Sequence, residues 1–137
     1  MGKINLSVVT PEKAIVSGID TEAVVLPGEL GQMTILPGHT SLLTNLGLGS
    51  FAYKQEGIWK WAYLTGGFAQ VGEDKMTVLA ETVELAHEID VAEAELELKN
   101  ISEKLKNIKV DNTDYPALQA QKDLLSAKLA AASQQSN

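Results

Sequence analysis

Two histidines and many carboxylates are the side chains here that could support metal-assisted or acid–base chemistry. His39 and His87 are the only histidines, and neither lies at metal-ligand spacing, because His87-Glu88 is not followed by a second histidine one helical turn later. The acidic residues fall on predicted hairpin tips and helix surfaces, where carboxylates stay solvated instead of desolvated as acid–base catalysis requires. Cysteine is absent, as are a serine elbow and a Gly-Lys-Ser/Thr phosphate loop. We therefore predict a non-catalytic protein without a metal site.

Three aromatic side chains form a second candidate site. Trp59, Trp61 and Tyr63 alternate along one predicted strand, so they lie on the same face of it. Rings at this spacing can stack on a sugar or a nucleobase, and they also pack on one another within a sheet. The first interpretation defines an alternative hypothesis, a free-standing sugar- or nucleotide-binding β-sandwich module.

Two Pro-Gly turn signals mark a third candidate site. Pro27-Gly28 and Pro37-Gly38 lie ten residues apart and flank a short apolar run at 33–36. Proline presets the φ angle for a turn and glycine accepts a positive φ, so we expect each pair to reverse the chain. The side chains at these reversals are Glu29, Leu30, His39 and Thr40. Side chains of mixed polarity on such a rigid frame are typical of a docking surface.

The composition restricts the class of partner. The chain has 137 residues, 18 acidic and 11 lysine side chains, no arginine, and a net charge of −7. Nucleic-acid binding depends on a basic patch, and arginine is the usual bidentate phosphate ligand, so no nucleic-acid partner is expected. The N-terminal residues enter a strand pattern directly, without a basic leader, and no apolar run reaches membrane-spanning length. We expect a non-exported protein.

Short segments of alternating polarity predict that residues 1–87 form an all-β domain. Apolar Ile4, Leu6 and Val8 alternate with polar residues, which is the two-residue period of a strand with one buried face. Turn residues separate most of the segments, with hairpin tips expected at 55–57 and 72–75. We predict a β sandwich of about ten short, mainly antiparallel strands. The other predicted strands are 14–17, 22–26, 33–36, 47–54, 58–64, 67–71, 76–80 and 82–86.

Residues 88–137 are predicted to form a C-terminal antiparallel two-helix hairpin. Apolar residues recur every three or four positions over 90–109, which indicates a helix with a packed seam. A second helix is expected over 114–132, with Pro116 in its first turn and an irregular tail at 133–137. Its alanine-rich face buries little area, so we expect it to be held weakly. The seam of the first helix comprises Val91, Ala94, Leu98, Ile101, Leu105 and Ile108.

Four segments of the chain carry a family resemblance. They are Glu29-Leu30-Gly31, the run from Leu36 to Thr44, the run from Leu64 to Phe68, and the run from Thr77 to Glu84. In content, order and spacing they resemble the epsilon subunit of the bacterial and chloroplast F-type ATP synthase. The resemblance implies a non-catalytic subunit of the central rotor stalk in a proton- or sodium-translocating complex. It implies a peripheral location, on the cytoplasmic face of a bacterial inner membrane or the stromal face of a thylakoid.

The same resemblance implies partners and a docking site. The partners are the gamma subunit, the ring of c subunits and, transiently, the catalytic alpha/beta head. In the family, the turn that carries Glu29 and Gly31 and the segment that carries His39 face the c ring, so these three residues are the implied docking residues. Preordered turns lose little entropy on binding. The prolines and glycines are equally well explained as good turn formers.

The hairpin carries an altered version of a family nucleotide motif. Some members bind ATP through Ile/Leu-Asp-x-x-Arg-Ala at the start of the first helix, which steadies the hairpin against the sandwich. The present chain keeps Ile89 and Asp90 but has Glu93 in place of the arginine. A carboxylate repels a triphosphate where arginine attracts it, so ATP binding is predicted to be weak or absent and no cofactor is expected.

In the family the hairpin also extends into the catalytic head and blocks ATP hydrolysis. Basic residues of the second helix then meet acidic loops of the catalytic subunits. Only Lys122 and Lys128 are available for this contact here. We therefore predict a modest inhibition that weakens with added salt.

Overall fold

The computed structural model describes residues 2–38 and 41–136, which form eight strands, a short 3-10 helix at Ala86–Glu88 and two α-helices. The elements are β1 Ile4–Val9, β2 Ala14–Thr21, β3 Ala23–Gly28, β4 Gly31–Ile35, β5 Leu42–Leu46, β6 Gly49–Gln55, β7 Ile58–Gly72, β8 Lys75–Leu85, α1 Val91–Lys106 and α2 Tyr115–Ser136. The strand order is β2-β1-β8-β7-β5-β3-β4, and β6 pairs with β3 and β7. The β1–β8 pair is parallel, whereas the other described pairs are antiparallel.

The longest strand, β7, belongs to both layers of the fold. Its first half pairs with β6 and its second half with β5, while β8 runs along most of its other edge. The change of partner occurs at Gly66 and Gly67, whose φ angles are 51° and 117°. Phe51, Leu26 and Leu64 are among the largest fully buried side chains of the core between the layers. The predicted β sandwich is therefore confirmed.

The described residues contain eight strands instead of about ten, because two predicted pairs of strands are continuous. Residues 65 and 66 separated two predicted strands, but they lie within β7, which bends there without reversing. Glu81 separated two predicted strands, but it is an exposed residue within β8. The segment Leu42–Leu46, for which no strand was predicted, forms β5.

The first Pro-Gly pair does not reverse the chain. Pro27 and Gly28 are the last residues of β3, and Gly28 pairs with Gly31, so the reversal is Glu29-Leu30. Proline is tolerated at a strand position that requires no N–H donor. The carbonyl of Pro27 still accepts a hydrogen bond, at 2.8 Å, from the N–H of Gly47. The turn lies two residues beyond its predicted position.

Three other predicted turns are confirmed. Pro37 and Gly38 form a turn, and Gly38 has a φ angle of 81°. The pairing of Gln55 with Ile58 closes the two-residue turn between β6 and β7. The pairing of Gly72 with Lys75 closes the one between β7 and β8.

The predicted helical hairpin is also confirmed. The side-chain oxygen Oδ1 of Asp90 accepts a hydrogen bond from the N–H of Glu93 at 3.1 Å, which caps α1 as expected. Ala94 and Ile101 of α1 pack with Leu125 of α2 in one apolar cluster. Val91 was predicted to lie in this seam but is exposed, because it is the first residue of the helix. Among the described residues, neither helix is long and apolar enough to cross a membrane.

Candidate functional site

The predicted docking residues Glu29 and Gly31 lie on one tight hairpin between β3 and β4. The pairing of Gly28 with Gly31 leaves Glu29 and Leu30 as its two-residue turn. The Leu30 side chain is fully exposed, and Glu29 and Gly31 are exposed beside it. We call residues 29–31 the docking tip. It presents one apolar and one anionic side chain to solvent.

The base of the docking tip is held by β6 and by the segment before it. A β-carbon added at Gly49 would lie only 2.8 Å from Cβ of Pro27, so the two backbones approach closely. The hydrogen bond from Gly47 to the Pro27 carbonyl closes the same junction. These contacts fix the strand from which the docking tip projects.

The third predicted docking residue, His39, lies outside the described residues. The backbone just before it is anchored, because the N–H of Gly38 donates a hydrogen bond of 2.8 Å to Oδ1 of Asp74. Asp74 lies in the β7–β8 turn with a φ angle of 59°, a conformation that aspartate tolerates. No local sequence pattern marks Asp74 for this role, because its partner is 36 residues away.

The aromatic residues do not form an open platform of three rings. The rings of Trp59 and Trp61 lie 6.2 Å apart, tilted by 34°, and are partly buried. Tyr63 is only 5% exposed and packs in one cluster with Ala131 and Ala132 of α2. A ligand cannot stack on a ring that the helix covers, so the packing interpretation holds for Tyr63.

A second, smaller apolar cluster joins α2 to the sandwich. It consists of Tyr63, Ile89, Ala131 and Ala132, with Leu124 packed against it. Ala131 is fully buried, and its short side chain lets the helix approach the sheet closely. The hairpin is therefore folded against the sandwich in this structure.

The last turns of α2 also reach the backbone of β7. The Oε1 atom of Gln135 accepts a hydrogen bond of 2.8 Å from the N–H of Trp61, and Nε2 of Gln135 donates one of 3.2 Å to the carbonyl of Trp59. The expectation of an irregular tail at 133–137 is thus wrong for the described part, since α2 continues to Ser136. Contacts with the sheet stabilise these last turns, which a local sequence pattern does not reveal.

An ion pair lies beside the same junction. The ammonium of Lys128 is 3.1 Å from Oε1 of Glu84, both side chains being about three-quarters buried, and it is 6.0 Å from the centre of the Tyr63 ring. Burial raises the pKa of the Tyr63 hydroxyl to about 12, and the negative charge of Glu84 and its hydrogen bond act in the same direction. A neutral Tyr63 is thus favoured beside a charged Glu84.

We expect alkaline pH to destabilise this junction. A tyrosine whose pKa is higher in the folded chain adds stability below pH 10, and this stability is lost as the pH rises towards 12. The loss is on the order of 2 kcal/mol, since one pKa unit corresponds to about 1.4 kcal/mol. It can be measured as the free energy of unfolding in urea at several pH values. Tyr63→Phe should remove this part of the pH dependence, while Tyr53, whose pKa burial also raises, keeps its own.

The two residues predicted for weak nucleotide contact both have structural contacts. Ile89 is buried in the cluster with Tyr63, and the carboxylate of Asp90 caps α1. Glu93, which replaces the family arginine, is exposed. The weakness of ATP binding stays a prediction. Within the described ranges no group of three His, Asp or Glu side chains is placed to hold a metal ion.

Comparisons with known proteins agree on one family. The family model of the ATP synthase Delta/Epsilon chain β-sandwich domain matches residues 3–86. The ATP synthase epsilon chain of Prochlorococcus marinus is 34% identical over 125 residues, which cover 91% of this chain and 92% of the relative. The chain belongs to the ATP synthase epsilon chain family. The epsilon chain of Symbiobacterium thermophilum is 42% identical over 94 residues, covering 69% of this chain and 68% of the relative.

A solved structure shows the same fold as this epsilon-family chain. One chain of the Euglena gracilis mitochondrial ATP synthase, in a cryo-EM structure of OSCP, F1 and c-ring, superposes with a TM-score of 0.84 over 96% of this chain and 82% of that chain. Its sequence identity is 20%, so the likeness concerns the fold. As a member of the family, the chain is a non-catalytic stalk subunit of ATP synthase. The alternative of a free-standing sugar- or nucleotide-binding module is not supported.

Proposed function

We propose that this chain connects the c ring to the catalytic head as part of the central rotor stalk. The sandwich, residues 1–87, contacts the gamma subunit and rests on the c ring. The helical hairpin, residues 88–137, acts transiently on the alpha/beta head. The Euglena chain with the same fold comes from a complex that contains F1 and a c-ring, which supports this assignment. The complex would place the chain at the cytoplasmic face of a bacterial membrane or the stromal face of a thylakoid.

The exposed docking tip is the observation that carries the c-ring contact. Leu30 is a large apolar side chain with full exposure, and a turn of two residues between paired glycines holds it. Burying such a side chain in a partner gains hydrophobic free energy, about 1.5–3 kcal/mol for a leucine. Glu29 supplies a charge that orients the contact. Gly31 and His39 are the other two residues of the proposed site.

Leu30→Asp is expected to weaken binding to purified c rings. Losing the apolar contact and placing a second carboxylate beside Glu29 should raise the dissociation constant at least about tenfold, which corresponds to 1.4 kcal/mol. Surface-immobilised c rings in nanodiscs, with the complex of this chain and gamma as analyte, give the measurement. Ile58→Asp is the matched control, because Ile58 is also exposed beside a two-residue turn. Equal affinities of the two variants would contradict the proposed docking site.

We further propose that the hairpin inhibits ATP hydrolysis modestly and in a salt-sensitive way. Lys122 and Lys128 are its candidate contacts with acidic loops of the catalytic subunits. In the folded arrangement Lys128 already pairs with Glu84, so the hairpin must leave the sandwich before this lysine can act elsewhere.

A further inference from the structure

We propose that Gln135 and Lys128 form a latch that holds the helical hairpin on the sandwich and whose opening releases both helices together. This inference deepens the proposed regulatory role of the hairpin and rests on it. It concerns two side chains of the second helix, of which only Lys128 was a predicted contact residue.

Gln135 takes the place of a missing strand. The pairing of β7 with β8 begins at Ala62 and Leu85, so the β7 edge before Ala62 extends beyond the last residue of β8. The side-chain amide of Gln135 fills this edge, accepting from the N–H of Trp61 and donating to the carbonyl of Trp59. An amide has the donor and acceptor of a peptide group, so it satisfies both backbone groups at once.

Lys128 makes the second polar contact from the same face of α2. It lies seven residues before Gln135, which is two turns of an α-helix, so both side chains point towards the sheet. Its ammonium pairs with Glu84 of β8 at 3.1 Å. Gln135 and Lys128 therefore engage the two neighbouring strands β7 and β8.

The described apolar part of the attachment is small. The contacts of α2 with the sandwich centre on Ala131, Ala132 and Leu124, whereas α1 packs mainly on α2 through Ala94 and Ile101. Because α2 mediates the docking of α1, its release frees the whole hairpin. When the latch opens, its polar groups form hydrogen bonds with water instead. Each latch contact therefore shifts the equilibrium between the docked and the released hairpin by only about five- to tenfold. A latch of this strength is specific and reversible.

The amide proton of Trp61 reports directly on the latch. In the full-length protein, Gln135→Leu is expected to accelerate hydrogen exchange at this amide about tenfold, because the acceptor is lost while the bulk of the side chain is kept. NMR-detected exchange resolves the single site. Gln134→Leu is the matched control, because the adjacent Gln134 is exposed, and it should leave the exchange rate within about twofold of the wild-type rate. Equal exchange rates for the two variants would overturn the role of Gln135.

The ion pair is tested in the same assay. Lys128→Met keeps the aliphatic stem and removes the charge, and Glu84→Gln removes the partner charge. We expect each variant to accelerate exchange of the Trp61 amide about threefold, and the double variant no more than either single one, because both remove the same contact. Independent effects that multiply in the double variant would overturn the role of this pair. Asn107→Leu changes the residue that follows α1 at the end away from the sandwich. It shows how much Trp61 exchange responds to a change in hairpin stability that leaves the latch contacts in place.

A second readout separates the latch from the regulatory role. Gln135→Leu is assembled into the complete ATP synthase, and ATP hydrolysis is measured with and without added salt. Faster Trp61 exchange together with altered hydrolysis supports both proposals. Faster exchange with unchanged hydrolysis supports the latch and contradicts the inhibitory role of the hairpin. Unchanged exchange overturns the latch whatever the hydrolysis rate.

Discussion

Gly67→Ala is expected to remove most of the stability of the sandwich. A β-carbon at this position would lie 2.0 Å from the carbonyl oxygen of Leu79 and 2.8 Å from Cα of Ala80, and both are backbone atoms of the adjacent β8. The φ angle of 117° is in addition one that residues with a β-carbon rarely adopt. Relief requires β7 and β8 to separate where their pairing holds the two layers. We expect a loss of at least about 4 kcal/mol in the free energy of unfolding.

Urea unfolding followed by tryptophan fluorescence measures this loss. Gly57→Ala is the matched control, because Gly57 also has a positive φ angle, 78°, but an added β-carbon there meets no atom within 4 Å. It should lose only the backbone part, about 1–2 kcal/mol. If both variants lose the same stability, the close approach of β7 and β8 is not the reason for the glycine.

Phe51→Ala is expected to have the second largest effect, about 3–5 kcal/mol. Phe51 is 1% exposed and heads the fully buried side chains by volume. Its ring lies 6.1 Å from that of Tyr53, and its strand β6 pairs with both β3 and β7. Truncation leaves a cavity between the two layers, and paired strands on both sides of β6 restrict the collapse that would fill it.

Phe68→Ala provides a control of identical chemistry. The chain has only two phenylalanines, and Phe68 is 40% exposed on β7. Its truncation should cost about 1 kcal/mol or less, because the change removes surface contacts without opening a cavity. The same urea titration gives both values, and a loss at Phe68 as large as that at Phe51 would contradict the assignment of the core.

Local periodicity was sufficient to predict the strands and helices that bury the side chains of only one face. The alternation within β1 and the three-and-four spacing of α1 each arise because one face packs on a core, and the structure confirms both. The Asp90 cap follows from local hydrogen bonding and was predicted for the same reason. Burial also alternates along β5, but its Leu42 and Leu43 are adjacent leucines, so the pattern was not visible in residue types alone.

The features that sequence reasoning missed depend on contacts between distant residues. Gly66 and Gly67 resemble turn residues, and only the close backbone of β8 shows that they bend a continuous strand. Gln135 contacts Trp61 of β7, which lies 74 residues away in the sequence. The residues around Gln135 therefore gave no local pattern that predicts this contact. The family resemblance placed Glu29 and Gly31 in one site, but the full exposure of Leu30 between them required the structure.

The continuity of β7 has a mechanical consequence. Near its first end, β7 exchanges two backbone hydrogen bonds, at Trp59 and Trp61, with the side-chain amide of Gln135. At its other end, Asp74 in the turn after β7 accepts a hydrogen bond from the N–H of Gly38. The length of strand from Trp61 to Gly72, measured along the bent chain, is roughly 35 Å. A force that enters β7 through the Gln135 contact is therefore carried along the covalent backbone of this strand towards the Gly38–Asp74 contact. The same strand joins the part of the sandwich that contacts the helical hairpin to the turn that precedes His39.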